Sequence, residues 1–62
     1  METREGIISN VNSDELTDNA TNETRHYTNP AKVSVKVTDE VVYLSIIAGN
    51  GKIINVIKEK KV

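Results

Sequence analysis

Val41-Val42-Tyr43-Leu44-Ser45-Ile46-Ile47-Ala48-Gly49-Asn50-Gly51-Lys52-Ile53-Ile54-Asn55-Val56-Ile57 is the stretch that decides the fold. Its first eight residues are apolar at both parities, as in a strand covered on two sides. Asn50-Gly51 is the strongest short-range hairpin signal, expected as a two-residue type I′ turn. Residues 53–59 then form the returning strand. Such a turn pairs Ala48 with Ile53, Ile46 with Asn55 and Leu44 with Ile57. On the other face it pairs Ile47 with Ile54, Ser45 with Val56, Tyr43 with Lys58 and Val41 with Lys60.

Upstream, Lys32-Val33-Ser34-Val35-Lys36-Val37-Thr38 alternates with period two and reads as another strand. A tight Asp39-Glu40 turn would set Val37 against Val42, Val35 against Leu44 and Val33 against Ile46. Val33, Val35, Val37, Val42, Leu44, Ile46, Ala48, Ile53 and Ile57 then form the expected core face. The opposite face holds Val41, Tyr43, Ile47, Ile54 and Val56, which are the candidate interface residues. A one-residue slip would exchange the two faces.

The chain changes character at Pro30. Of 23 apolar residues, 7 precede residue 31 and 16 follow it. Residues 1–30 carry six acids and two arginines; residues 31–62 carry six lysines and three acids. The halves are therefore oppositely charged, although the net charge is only −1. Residues 4–11 offer a fourth strand, weakened by Gly6. Ser13 is a candidate helix N-cap, with Asp14 and Glu15 in the first turn. Beyond Leu16 the apolar pattern stops, so one short helix near 13–20 is the most that is expected. The resulting expectation is one small domain over 1–62, α+β or mainly β. It consists of an antiparallel meander of three to four strands (about 32–38, 41–48 and 52–59, with 4–11 as the fourth) behind a polar, largely irregular N-terminal arm.

Composition narrows the chemistry. A 62-residue chain buries only about 60 % of the surface it exposes when unfolded, and small folds need staples. There is no Cys and one His, so disulfides, thiolate sites and a multi-His zinc site within one chain are excluded. Eight Val and seven Ile against two Leu favour strands. The remaining staple is a partner subunit, so a homo-oligomer is expected. The two sequons at Asn19 and Asn22 reflect local composition. No membrane-length apolar run or secretory leader is read, and the cytoplasm is the expected location.

No motif carries catalysis. Ser13, His26 and Asp14 lack a nucleophile elbow. Asp14, Glu15, Asp18 and Glu23 do not match an EF-hand spacing. Gly49-Asn50-Gly51-Lys52 is too short for a phosphate loop. No enzyme, cofactor or metal is expected. One constellation has a binding logic: Lys36, Tyr43 and Lys58 fall in one row with Lys60 diagonal, an aromatic among cations that could hold single-stranded nucleic acid. The leading expectation is a non-enzymatic small binding or regulatory protein that works through protein contacts and self-association. The alternatives are nucleic-acid binding and a structural role in a larger assembly such as a phage particle or coat.

Overall fold

A computed structural model describes residues 1–58. They form one curled antiparallel sheet of five strands, with no helix among them. The strands are β1 (Glu2–Asn10), β2 (Glu15–Asp18), β3 (Thr24–His26), β4 (Glu40–Ile47) and β5 (Ile53–Ile57). Their order across the sheet is β3-β2-β1-β4-β5. The protein is thus mainly β, and it has five strands rather than three or four.

The N-terminal half is not an irregular arm. It supplies three of the five strands, and the helix expected near 13–20 is replaced by a turn and β2. Asn10 explains the turn, because its Oδ1 accepts from Asn12 N at 2.9 Å and Ser13 N at 3.1 Å. An Asx side chain that captures backbone N–H groups competes with helix. Ser13 caps no helix; its hydroxyl donates to Glu15 Oε1 at 3.1 Å. Asp14 then takes a left-handed φ of 53° and starts β2. β2 buries Leu16 and Asp18 and leaves Glu15 and Thr17 half-buried. This is strand alternation with a carboxylate at an inward position.

Residues 32–38 are not a strand. The edge of β4 that they were expected to fill is occupied by β1, in register from Glu2 opposite Ser45 to Ile7 opposite Glu40. No hairpin forms at Asp39-Glu40, and Val33, Val35 and Val37 have no strand partners on β4. The segment is instead a strap. Asn29 pins its start, with Nδ2 donating to Val33 O and Oδ1 accepting from Val33 N, both at 2.8 Å. Its end is tied to β1 by Thr38 N to Ile8 O and Ile8 N to Asp39 O, both at 2.8 Å. The alternation survives in burial: Val33 and Val35 pack on the core, whereas Ser34 and Lys36 are exposed. Val37 is exposed rather than core.

The β4–β5 hairpin forms, shifted by one residue. Tyr43 pairs with Ile57, Leu44 with Val56, Ser45 with Asn55, Ile46 with Ile54 and Ile47 with Ile53. Gly51 N donates to Ala48 O at 2.9 Å, Ala48 N donates to Lys52 O at 2.8 Å, and only Gly51 takes a positive φ, 81°. This is a three-residue loop with a glycine bulge. A type I′ turn would have required positive φ at Asn50 as well.

The shift turns over the expected faces of β4, whose Val41 and Tyr43 point inward, whereas β5 keeps Ile57 in the core and Ile54 and Val56 outside. The core is Ile8, Leu16, Tyr27, Val41, Tyr43 and Ile57. Of the residues expected there, Ile57 is buried, Ile53 is 59 % exposed at the open rim, and Val42, Leu44, Ile46 and Ala48 are half-buried. The sheet curls until Thr28 bridges its edges: Thr28 N donates to Asn55 O at 2.7 Å, and Ile57 N donates to Thr28 O at 3.1 Å. The result is a half-barrel laced along its seam. No helix among the described residues is long and apolar enough to cross a membrane.

Gly6 lies close against β2. A Cβ there would lie 2.8 Å from Thr17 O and 3.0 Å from Leu16 Cδ1. The first neighbour is backbone and cannot swing away. Gly6→Ala is expected to cost about 1–3 kcal/mol and to lower the melting temperature by about 10 °C, measured by circular dichroism. A melt equal to that of the native chain would show that β1 and β2 can separate freely at this point.

Candidate functional site

The inner face of the half-barrel is apolar at one end and ionic at the other. Asp18 is the centre of the ionic end, with its side chain 1 % exposed. β1 brings Arg4 to it: Nε donates to Oδ1 at 3.0 Å and Nη2 to Oδ2 at 3.1 Å, a side-on bidentate pair. β4 brings the Tyr43 hydroxyl, which donates to Oδ1 at 2.5 Å. The turn after β2 adds Thr21, whose N and Oγ1 both donate to Oδ2 at 3.0 Å. β3 completes the network with Arg25, whose Nη1 donates to Tyr43 Oη at 3.2 Å. Both guanidiniums continue outward, Arg4 to Glu2 at 2.7 Å and Arg25 to Glu23 at 3.0 Å.

This geometry sets the titration of each group. The Arg4 guanidinium, helped by Tyr43 and Thr21, holds the Asp18 carboxyl far below the usual carboxylate range, against the opposing effect of burial. Asp18 in turn holds the Arg4 proton more tightly. Arg25 lowers Glu23. Burial raises Tyr43, and its bond to Asp18 adds to the rise. Asp18 accepts five hydrogen bonds, so its lone pairs are used. A saturated carboxylate of depressed pKa is a poor general base. The network is built to hold strands.

The other candidates are dispersed. His26 is exposed on β3, with Nε2 3.5 Å from Glu15 Oε2. Among the described residues, no group of three or more His, Cys, Asp or Glu is placed to hold a metal ion. The Lys36, Tyr43, Lys58 row does not assemble. Tyr43 is 0 % exposed and pairs across strands with Arg4 and Ile57, while Lys36 lies on the strap. Tyr27 is also buried, so neither tyrosine presents a ring to a base. Lys60 lies outside the described residues. A seam hollow of about 310 Å³ between β3 and β5 is lined by His26, Lys52, Ile53 and Asn55 among others. There Asn55 Nδ2 donates to His26 O at 3.0 Å, while its buried Oδ1 has no protein donor.

The candidate interface residues separate into two groups. Val41 and Tyr43 belong to the interior, at 2 % and 0 % exposure, because the slipped register points them inward. Ile47 is 71 % exposed at the open rim, opposite Ile53. Ile54 and Val56 lie half-buried on the outer face. There they join Val42, Leu44 and Ile46 of β4, also half-buried. Five aliphatic side chains therefore occupy the solvent side of β4–β5. The outer positions of β1–β3 are mostly polar: Thr3, Glu5, Ser9, Thr17 and Thr24, with Ile7 the exception. The described strands form a single sheet, with no second sheet over the aliphatic side.

No protein-family model matches the chain, and neither a curated protein nor a solved structure matches it.

Two measurements probe the ionic network. Tyr43→Phe removes a buried donor to a charged acceptor and is expected to cost about 1.5–3 kcal/mol, seen as a lower midpoint in urea. An unchanged midpoint would mean that the hydroxyl contributes nothing. The second probe is acid. Unfolded Asp18 titrates near pH 4, and the folded group titrates lower. Its stabilisation is present above about pH 4 and is lost as pH falls toward the folded value. Asp18→Asn should be less stable at pH 7 and lose less stability between about pH 5 and pH 2. Parallel stability curves for the two chains would contradict this.

Proposed function

We propose that this is a non-enzymatic binding or regulatory protein that contacts another protein through the outer face of β4–β5. The observation that supports this is the row of Val42, Leu44, Ile46, Ile54 and Val56 on the solvent side of a one-layer sheet. A contiguous apolar row on an outer face, rimmed by polar residues, is a usual mark of a contact surface. Glu5 on β1 and Lys58 after β5 are such rim residues, and both are exposed.

Magnitudes set the kind of contact. Full burial of a large aliphatic side chain contributes about 1.5–3 kcal/mol, and these five are already half-buried. Covering what remains exposed of them yields at most about 5 kcal/mol, against an association cost of about 4–15 kcal/mol. The aliphatic patch alone therefore gives weak, reversible binding, and its polar rim must contribute to specificity. That suits a regulatory partner better than a permanent complex.

Two substitutions at dilute concentration test the assignment. Leu44→Lys, on the outer face, should leave the melting temperature within about 5 °C, because a lysine stem can lie along the sheet with its ammonium in water. It should also reduce uptake of an apolar fluorescent dye. Ile8→Ala, in the core, should lower the melt by at least about 10 °C. If Leu44→Lys unfolds the chain as Ile8→Ala does, the face belongs to the fold's own packing and is not a contact surface.

A further inference from the structure

We infer that a second copy of this chain covers the outer face, stacked sheet on sheet about a two-fold axis parallel to β4; this rests on the outer face being a contact surface. The observation is how charge is distributed across one row. Val42 is paired on one side with Glu5 of β1 and bonded on the other to Lys58, whose N donates to Val42 O at 2.9 Å. The row therefore runs acid, aliphatic, base across three chain segments. Among the described residues, neither Glu5 nor Lys58 has an ion-pair partner.

A two-fold along β4 exchanges the two flanks. It sets Glu5 of each copy over Lys58 of the other and places Val42 over Val42. In the next row, Thr3, Leu44 and Val56 lie side by side. The same rotation stacks Leu44 on its copy and covers Val56 with the partner's Thr3. One row further, Ile46 meets its copy, and Ile54 faces the strand end that begins at Met1, which is 88 % exposed. Every aliphatic of the patch meets a side chain, and both ion pairs form at the rim. An isologous contact requires such self-complementarity, and unrelated partners would not. Glu40 begins β4 one row beyond Val42, so the same rotation brings the two copies of Glu40 near the axis, the one like-charge contact of the stack.

Sedimentation equilibrium from low micromolar to low millimolar concentration tests this on the full chain, with Glu5→Lys, Lys58→Glu and the double reversal. The native chain should dimerise reversibly. Each single reversal should weaken the dimer about tenfold, and the double reversal should return it to within about threefold of the native value. Circular dichroism accompanies each variant, and Glu5→Gln replaces any reversal that does not fold, with a smaller loss expected. A double reversal as weak as the singles overturns the two-fold arrangement. A chain that stays monomeric throughout, while Leu44→Lys still melts like the native protein, overturns the second copy but leaves the contact surface standing. If Leu44→Lys itself unfolds, it is the contact surface that fails.

Discussion

The structure depends on one buried carboxylate. Asp18 lies inside the sheet and is ionised there because Arg4, Tyr43 and Thr21 satisfy it from three directions. A charge this deep is tolerable only when paired and fully hydrogen-bonded, and removal of one partner leaves the other stranded. The network therefore acts on register more than on raw stability. Arg4 sits opposite Tyr43, and Gly6 opposite both Asp18 and Val41. A slip of β1 by one residue along β4 would turn Arg4 to the outer face and leave Asp18 without its cation. The observed pairing places Arg4 and Tyr43 on the inner face beside Asp18, so the ionic end favours this register over the one-residue slip.

The same constraint explains the asymmetry between the two sides of the sheet. The interior of a 62-residue barrel is small, and one end of it is filled by arginine, aspartate and tyrosine. Toward the other end Ile8, Leu16, Tyr27, Val41 and Ile57 complete the core with Tyr43, and Val33 and Val35 of the strap pack against it. Strand β4 contributes Val41 and Tyr43 to this interior, and the curl leaves no inner space for the rest of its apolar residues. Val42, Leu44 and Ile46 stand outside because a strand must send alternate residues to opposite faces. Closure at Thr28 removes part of the open edge that a short sheet would otherwise present.

Much of the second half was legible in its residues. Two strands around Gly49-Asn50-Gly51, and aliphatic side chains on both of their faces, follow from composition and period. The register did not follow, because Asn-Gly suits both a two-residue turn and the last two positions of a three-residue loop. The choice depends on whether Asn50 adopts positive φ, and only Gly51 does. Residues 32–38 misled for a related reason. Period two records which side chains face a core, and Val33 and Val35 do face one, but it cannot record whether a partner edge is vacant. β1 had taken that edge, at a distance in sequence that no local pattern reveals. In the first half the signal was hidden by chemistry. Leu16 and Asp18 alternate inward as a strand requires, yet an aspartate at an inward position reads as polar loop. No local spacing relates Arg4, Asp18, Arg25 and Tyr43; only the fold brings Arg4 and Tyr43 onto the carboxylate and Arg25 onto Tyr43.

The outer aliphatic face gains meaning from this division of labour. If the patch were there only to stabilise the monomer, apolar residues would gather where burial is complete, and the ionic end would be the natural place for them. The chain does otherwise: it gives one end of its interior to charge and leaves five half-buried isoleucine, leucine and valine side chains on the outer side. A salt network inside fixes one arrangement of strands and does so without help from the outer side. On the function proposed above, the half-buried outer side chains are covered and uncovered without disturbing the register beneath. Such independence is what a reversible contact requires, because the surface that binds must keep its shape when the partner leaves.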